Sequence, residues 1–252
     1  MRRSKEVKAR FKPVQGFSNS IHIALLVALP VLAYVLVNID FVGLAIALVL
    51  LSKWRMLAVK PRYWLVNTVA GGVDIIVSVA LVLFMANTSS GWWQLVWAVI
   101  YGGWLLWLKP RSDVLSVSAQ AMIGQLLGLG VLFLKFGDAS LLVLVAGTWL
   151  VTYVAARHFL TSFEEQYTAL LSHCWAYFSA SLVFVLGHWL LFYGSIAQTI
   201  VFLTVIGYGL AGLYYLDASE KTSVGLRRQL LGIMVAILVI VIIFSDWSGS
   251  TV

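Results

Sequence analysis

Residues 40–57, DFVGLAIALVLLSKWRML, decide how many times this chain crosses a membrane. Only twelve residues, Phe41 to Ser52, are uncharged before Lys53, where a crossing helix needs ~20. Taken alone the stretch is too short to cross; its neighbours decide otherwise. Cutting the chain at charges, glycines and turn residues predicts nine spans, near 21–38, 40–57, 64–86, 92–108, 113–134, 139–156, 167–193, 196–216 and 226–245. With nine crossings and a cytoplasmic N-terminus, sixteen of the seventeen Lys and Arg fall inside and Lys135 alone lies outside. Removing the second crossing inverts every later loop and sends ten of those bases to the wrong side, against the positive-inside rule. The stretch is therefore expected to cross, with Lys53 and Arg55 snorkelling to the cytoplasmic interface.

Composition agrees with a lipid-solvated chain. Of its 252 residues 62% are hydrophobic and 11% charged, and mean hydropathy is +0.96, far from soluble globular usage. The expected fold is all-α: a polytopic bundle with a basic cytoplasmic tail over 1–17, one transmembrane domain over 18–247 and a short external tail over 248–252. A bacterial cytoplasmic membrane is the expected location. The formal charge of +7 is then a matter of orientation and of contact with anionic lipid at the cytoplasmic face, not of nucleic acid. Trp92, Trp93, Trp189 and Trp247 mark outer ends and Trp54, Trp64 and Trp107 inner ones. Trp97, Trp104, Trp149 and Trp175 lie deeper and read as packing residues. A single cysteine, Cys174, excludes an intrachain disulfide and reads as a packed, inert thiol.

The sequence Lys-Pro-Arg occurs at Lys60–Arg62 and again 49 residues on, at Lys109–Arg111. Proline ends a helix there and the cations stay in water. The recurrence suggests a helical-hairpin repeat of the sort common in transporters. Another polar run, RHFLTSFEEQYTALLSH at 157–173, fits a Ser-x-x-Glu capping box with Ser162 as N-cap and Glu165 three residues on.

No His-Glu-x-x-His, P-loop or dinucleotide fingerprint is present, so no cofactor is implied. EEQYTA at 164–169 and FVLGH at 184–188 resemble motifs of CAAX-type membrane proteases. Ala169 stands where their arginine belongs, and Glu164 and His188 on one helix lie ~36 Å apart. The run 157–194 resembles segments of uncharacterised multi-pass membrane proteins from small-genome candidate-phylum bacteria. That resemblance implies an origin and no activity.

Asp74 is the acid without an ordinary explanation, since it falls in the middle of the span 64–86, where a carboxylate costs ~2.5–3.5 kcal/mol. It is expected to be neutral, or hydrogen-bonded to a neighbouring span. Asn67, Gly71, Asp74 and Ser78 share one face; Ser118, Ala121, Gln125 and Gly128 form a second small, polar stripe. The two stripes either zip two helices together or line a polar path, with His173 and His188 as its ends. Two functions fit: a small transporter or channel with Asp74 in the path, or a non-catalytic scaffold or assembly factor. A membrane-embedded hydrolase is a third, weaker fit.

Overall fold

The computed structural model describes residues 17–56, 58–187, 192–193, 196–218 and 223–246. The tail over 1–16, His188, Trp189, Glu220, Lys221, Trp247 and the tail over 248–252 lie outside the described residues. The fold is all-α. Its helices are α1 (Phe17–Asn38), α2 (Val42–Leu51), α3 (Trp64–Ala70), α4 (Gly72–Ala86), α5 (Gly91–Gly103), α6 (Val114–Phe136), α7 (Leu141–Ser162), α8 (Thr168–Leu186), α9 (Gln198–Ala218) and α10 (Val224–Phe244). A single π turn, Trp104–Leu108, extends α5. A two-residue antiparallel pairing, Phe192 with Ala197 and Tyr193 with Ile196, precedes α9.

Each of the nine predicted segments contains a helix, but helix length does not carry nine crossings. Among the described residues five helices, α6 to α10, are each long and apolar enough to span, and α3 with α4 makes a sixth if the bent pair counts as one. Helix α2 has ten residues, ~15 Å, about half of the ~30 Å hydrocarbon core. The segment 64–86 is not one straight span either, because α3 and α4 meet at 62°. Gly71 makes the break possible: the Met56 side chain fills the space a Cβ there would need.

Helices α4 and α6 sit at the centre. Helix α4 packs against α1, α2, α5, α6 and α7, and α6 against α4, α7 and α9. Val77, Leu81, Met85, Tyr101 and Leu105 fill one core between α4, α5 and the first two helices. Leu129, Leu132, Leu144, Val183 and Leu203 fill the other, between α6, α7, α8 and α9. Without a hydrophobic drive between helices in lipid, close approach at small residues does the joining. Gly124 lies against Val73, and Gly128 against Ile76 and Val151. The contact thus runs through Val73 and Ile76 of α4, with Gly128 of the α6 stripe in it, while Asp74 bonds to Lys53 and Lys109.

The polar run at 157–173 departs from the capping-box expectation. Helix α7 continues through Arg157 and His158 to end at Ser162, whose hydroxyl donates back to the His158 carbonyl at 2.9 Å. Nothing in Ala155 to Thr161 breaks a helix, so α7 propagates past the expected boundary. Helix α8 starts at Thr168, after a turn in which Glu164 takes a positive φ of 53°. A side-chain cap is present elsewhere: Asp113 accepts from the Ser116 amide at 3.1 Å at the start of α6. Cys174 is exposed on α8 rather than packed.

Candidate functional site: a buried charge triad

Asp74 stands in the first turn of α4, immediately after the break at Gly71. The positive end of the α4 dipole favours a carboxylate there. More decisive are two cations that the sequence assigned to the interface. Lys53 Nζ lies 2.5 Å and Lys109 Nζ 2.7 Å from Asp74 Oδ2. The Trp104 indole donates to Oδ1 at 3.0 Å. Asp74 and Lys53 are each 8% exposed; the Lys109 side chain is 38% exposed. Of the two expectations for Asp74, the structure shows the hydrogen-bonded one, with two ammonium groups and an indole as the partners. Ammonium groups reach it from the turn after α2 and from the end of the π turn.

Local backbone explains how they reach it. In an α-helix, residues five apart point ~140° from one another. The π turn, closed by the Lys109 amide on the Trp104 carbonyl at 2.9 Å, adds a residue to the turn and brings Trp104 and Lys109 toward one face. Helix α2 stops early enough for Lys53 to enter between the helices instead of snorkelling out. The Lys-Pro-Arg repeat is not mirrored here, since Lys109 of the second copy joins the site while Lys60 of the first is exposed.

The triad adjoins a cavity of about 530 Å³ between α1, α2 and the π turn. Its walls are leucines, including Leu25, Leu29 and Leu48, and its polar floor carries Lys53 and Lys109. Among the described residues the two lysines share this one carboxylate, so the cluster carries a net charge of about +1. A carboxylate held by three donors has little left with which to bind a metal. Among the described residues no three His, Cys, Asp or Glu gather as metal ligands.

The other predicted residues go elsewhere. Asn67 donates to the Met56 carbonyl at 3.4 Å, bracing the break. Ser78 is fully buried one turn after Asp74. Gln125 is also buried, but it lines a different cavity, with α7, α8 and α9. His173 sits in an aromatic stack, 4.7 Å from Tyr153 and 5.8 Å from Trp149 between ring centres. Among the described residues of this set, Asp74 is the one bonded to the two lysines.

Sequence reading missed Lys53, Lys109 and Trp104 as partners of Asp74. It also missed Gln120, which ties three segments together. The Gln120 amide donates to the carbonyls of Leu108 at 2.6 Å and Arg111 at 3.0 Å, and its oxygen faces His158 Nε2 at 3.0 Å. Those bonds satisfy carbonyls freed at the end of the π turn and fix that turn to α6 and α7. A deep tryptophan near a buried acid was the available signal, because a buried indole N–H needs an acceptor. Compared with known proteins, the chain matches no family model, no curated protein and no solved structure, so its function rests on the site itself.

Proposed function

We propose that the protein is a small membrane transporter in which an anionic substrate competes with Asp74 for Lys53 and Lys109. The observation that carries this reading is one carboxylate shared by two lysines from separate segments, both of which line a cavity of about 530 Å³. In a low-dielectric site the surplus positive charge attracts an anion from the cytoplasmic side. A broken helix with an acid at its mid-chain start is a common way for transporters to place an ion site. A proton on Asp74 releases both lysines to the substrate, so by reciprocity a bound anion favours a bound proton. Anion and proton then move in the same direction. Nine crossings with the N-terminus in the cytoplasm, in a bacterial membrane rich in anionic lipid, is the topology that goes with it.

Proteoliposomes loaded with a pH-sensitive dye test this directly. External acetate, lactate, phosphate or succinate, each with an inward proton gradient, is expected to give protein-dependent internal acidification with at least one of them. Asp74→Asn should abolish the dependence on the gradient, and Lys53→Gln with Lys109→Gln should abolish the response. Absence of any anion-dependent signal in oriented, folded protein rejects the reading.

The scaffold reading draws on a different observation, the close seating of Gly124 and Gly128 against α4. It requires a neutral, fully packed Asp74 with no cavity beside it. The triad and its cavity favour transport.

A further inference from the structure

The cavity bounded by α6, α7, α8 and α9 is lined by two residues whose buried polar atoms have no partner among the described residues. Gln125, 1% exposed, lines it, and its Nε2 has no hydrogen-bond partner among the described residues. The buried hydroxyl of Tyr215, on the same wall, also lacks one. Leaving buried donors unmade costs ~1–3 kcal/mol each, so two of them on residues that line one cavity point to an absent acceptor. We propose that this cavity binds the ring head group of a membrane-dissolved molecule bearing carbonyl or hydroxyl oxygens, the chemistry of an isoprenoid quinone or quinol.

The rest of the wall selects that chemistry. Phe159, Trp175 and Tyr208 present rings to the space, and flat apolar groups stack well on such rings. Gly207 is required for this shape, since a Cβ there would strike the Trp175 indole. Among the described residues no Asp, Glu, Lys, Arg or His lines the cavity, which disfavours phosphate and carboxylate head groups. Its volume, about 220 Å³, is below the ~300 Å³ at which drug-sized pockets begin, so it takes a ring and leaves a tail outside. The mouth faces lipid: Leu210 and Tyr214 on α9 are 49% and 52% exposed. A ligand entering there comes from the bilayer. One carbonyl oxygen accepts from both Gln125 and Tyr215, and because the glutamine amide can present either its N–H or its oxygen, a hydroxyl is also served. This inference does not depend on the transport reading, which concerns a separate cavity.

The test is titration of the protein in lipid nanodiscs with decyl-ubiquinone, read by tryptophan fluorescence quenching against empty nanodiscs. Saturable quenching is expected, weakened about tenfold in Gln125→Leu, which removes one hydrogen bond, and lost in Ala211→Phe, which fills the cavity from its wall. Gln125→Leu also removes an unmet polar group, so it is expected to fold. Lys53→Gln should leave the affinity unchanged. Non-saturable partitioning equal to that of empty nanodiscs overturns the proposal, as does equal affinity in both cavity variants, or full competition by 1-decanol, which has a hydroxyl and a tail but no ring.

Discussion

Asp74 and Lys53 lie 21 residues apart and meet at 2.5 Å, with Lys109 on the same carboxylate oxygen at 2.7 Å. Removing the acid leaves two ammonium groups facing each other with no counter-charge. Breaking a buried ion pair from one side costs ~3–5 kcal/mol, and the partial exposure of Lys109 lowers that figure by letting water screen it. Asp74→Leu is therefore expected to destabilise by about 2–4 kcal/mol. Asp74→Leu combined with Lys53→Met should recover at least ~1 kcal/mol of it. Reversible unfolding in mixed micelles measures both. Additive losses in the double variant would mean that the pair is not energetically coupled.

Close packing separates the two glycines of the α4–α6 contact from glycines with open space around them. A Cβ on Gly124 would come within 2.8 Å of Val73, and one on Gly128 within 2.6 Å of Ile76 and 2.9 Å of Val151. Gly124→Ala and Gly128→Ala should each cost ~1–3 kcal/mol by overpacking the α4–α6 contact. Gly43 and Gly232 have open space around them, and Ala there should be neutral or stabilising by up to ~1 kcal/mol. Four single variants in one unfolding series decide it, and equal effects at all four positions would remove the zip.

Glu164 sits in the left-handed region at φ 53°, which disfavours any side chain by ~1–2 kcal/mol. Glycine relieves that strain but adds chain entropy in the unfolded state. Glu164→Gly is expected to be neutral to mildly stabilising and Glu164→Val destabilising by at least ~1 kcal/mol. Ser162→Ala should change little, because Ser162 ends α7 instead of capping α8. A clear loss in Ser162→Ala would restore the capping box.

Acid titration reports the α6 cap. Hydrogen bonds from the Ser116 hydroxyl and amide hold the Asp113 carboxyl below its usual range. A carboxyl lowered in the folded state contributes stability that is fully present above its unfolded pKa of ~3.9 and is lost as pH falls through the folded value. Thermal midpoints in detergent should fall below about pH 4 more steeply for the wild type than for Asp113→Asn, which keeps an acceptor without the charge. Parallel curves would remove the cap from the acid response.

Helix positions were legible because apolar runs between charges mark them: those runs became α1, α2 and α5 to α10, with the starts close and the ends of α2, α5, α7 and α8 displaced by a turn or more. What the sequence hid were features set by backbone detail. The bend at Gly71 moved Asp74 from the middle of a span to the start of a helix. The π turn at Trp104 to Leu108 put Lys109 beside it. Lys53 looked like a snorkelling residue because its chemistry permits that, and the direction a lysine takes is decided by which helix ends nearby. The polar stripe on α6 read as a partner for Asp74, but its glycine, Gly128, packs on Ile76 and Val151.

Whether α2 crosses is testable from one pair of positions. Ile39, in the turn before α2, is 53% exposed, and Lys60, after it, is also exposed. In a Cys174→Ser background, single cysteines at Ile39, Lys60, Asn87 and Lys135 can be challenged from outside sealed cells with an impermeant maleimide. Nine crossings require Ile39, Asn87 and Lys135 to react and Lys60 to be protected. Reaction or protection of Ile39 and Lys60 together means that the ten residues of α2 dip into the membrane and return. The later loops would then keep their sides only if the N-terminus were external. In that arrangement the six bases before Pro13 would oppose the positive-inside rule, so labelling of an N-terminal epitope in intact cells is the second half of the same measurement. An internal epitope with Ile39 labelled and Lys60 protected fixes the second crossing and puts the floor of the Lys53–Lys109 cavity at the cytoplasmic side, where an anion would enter.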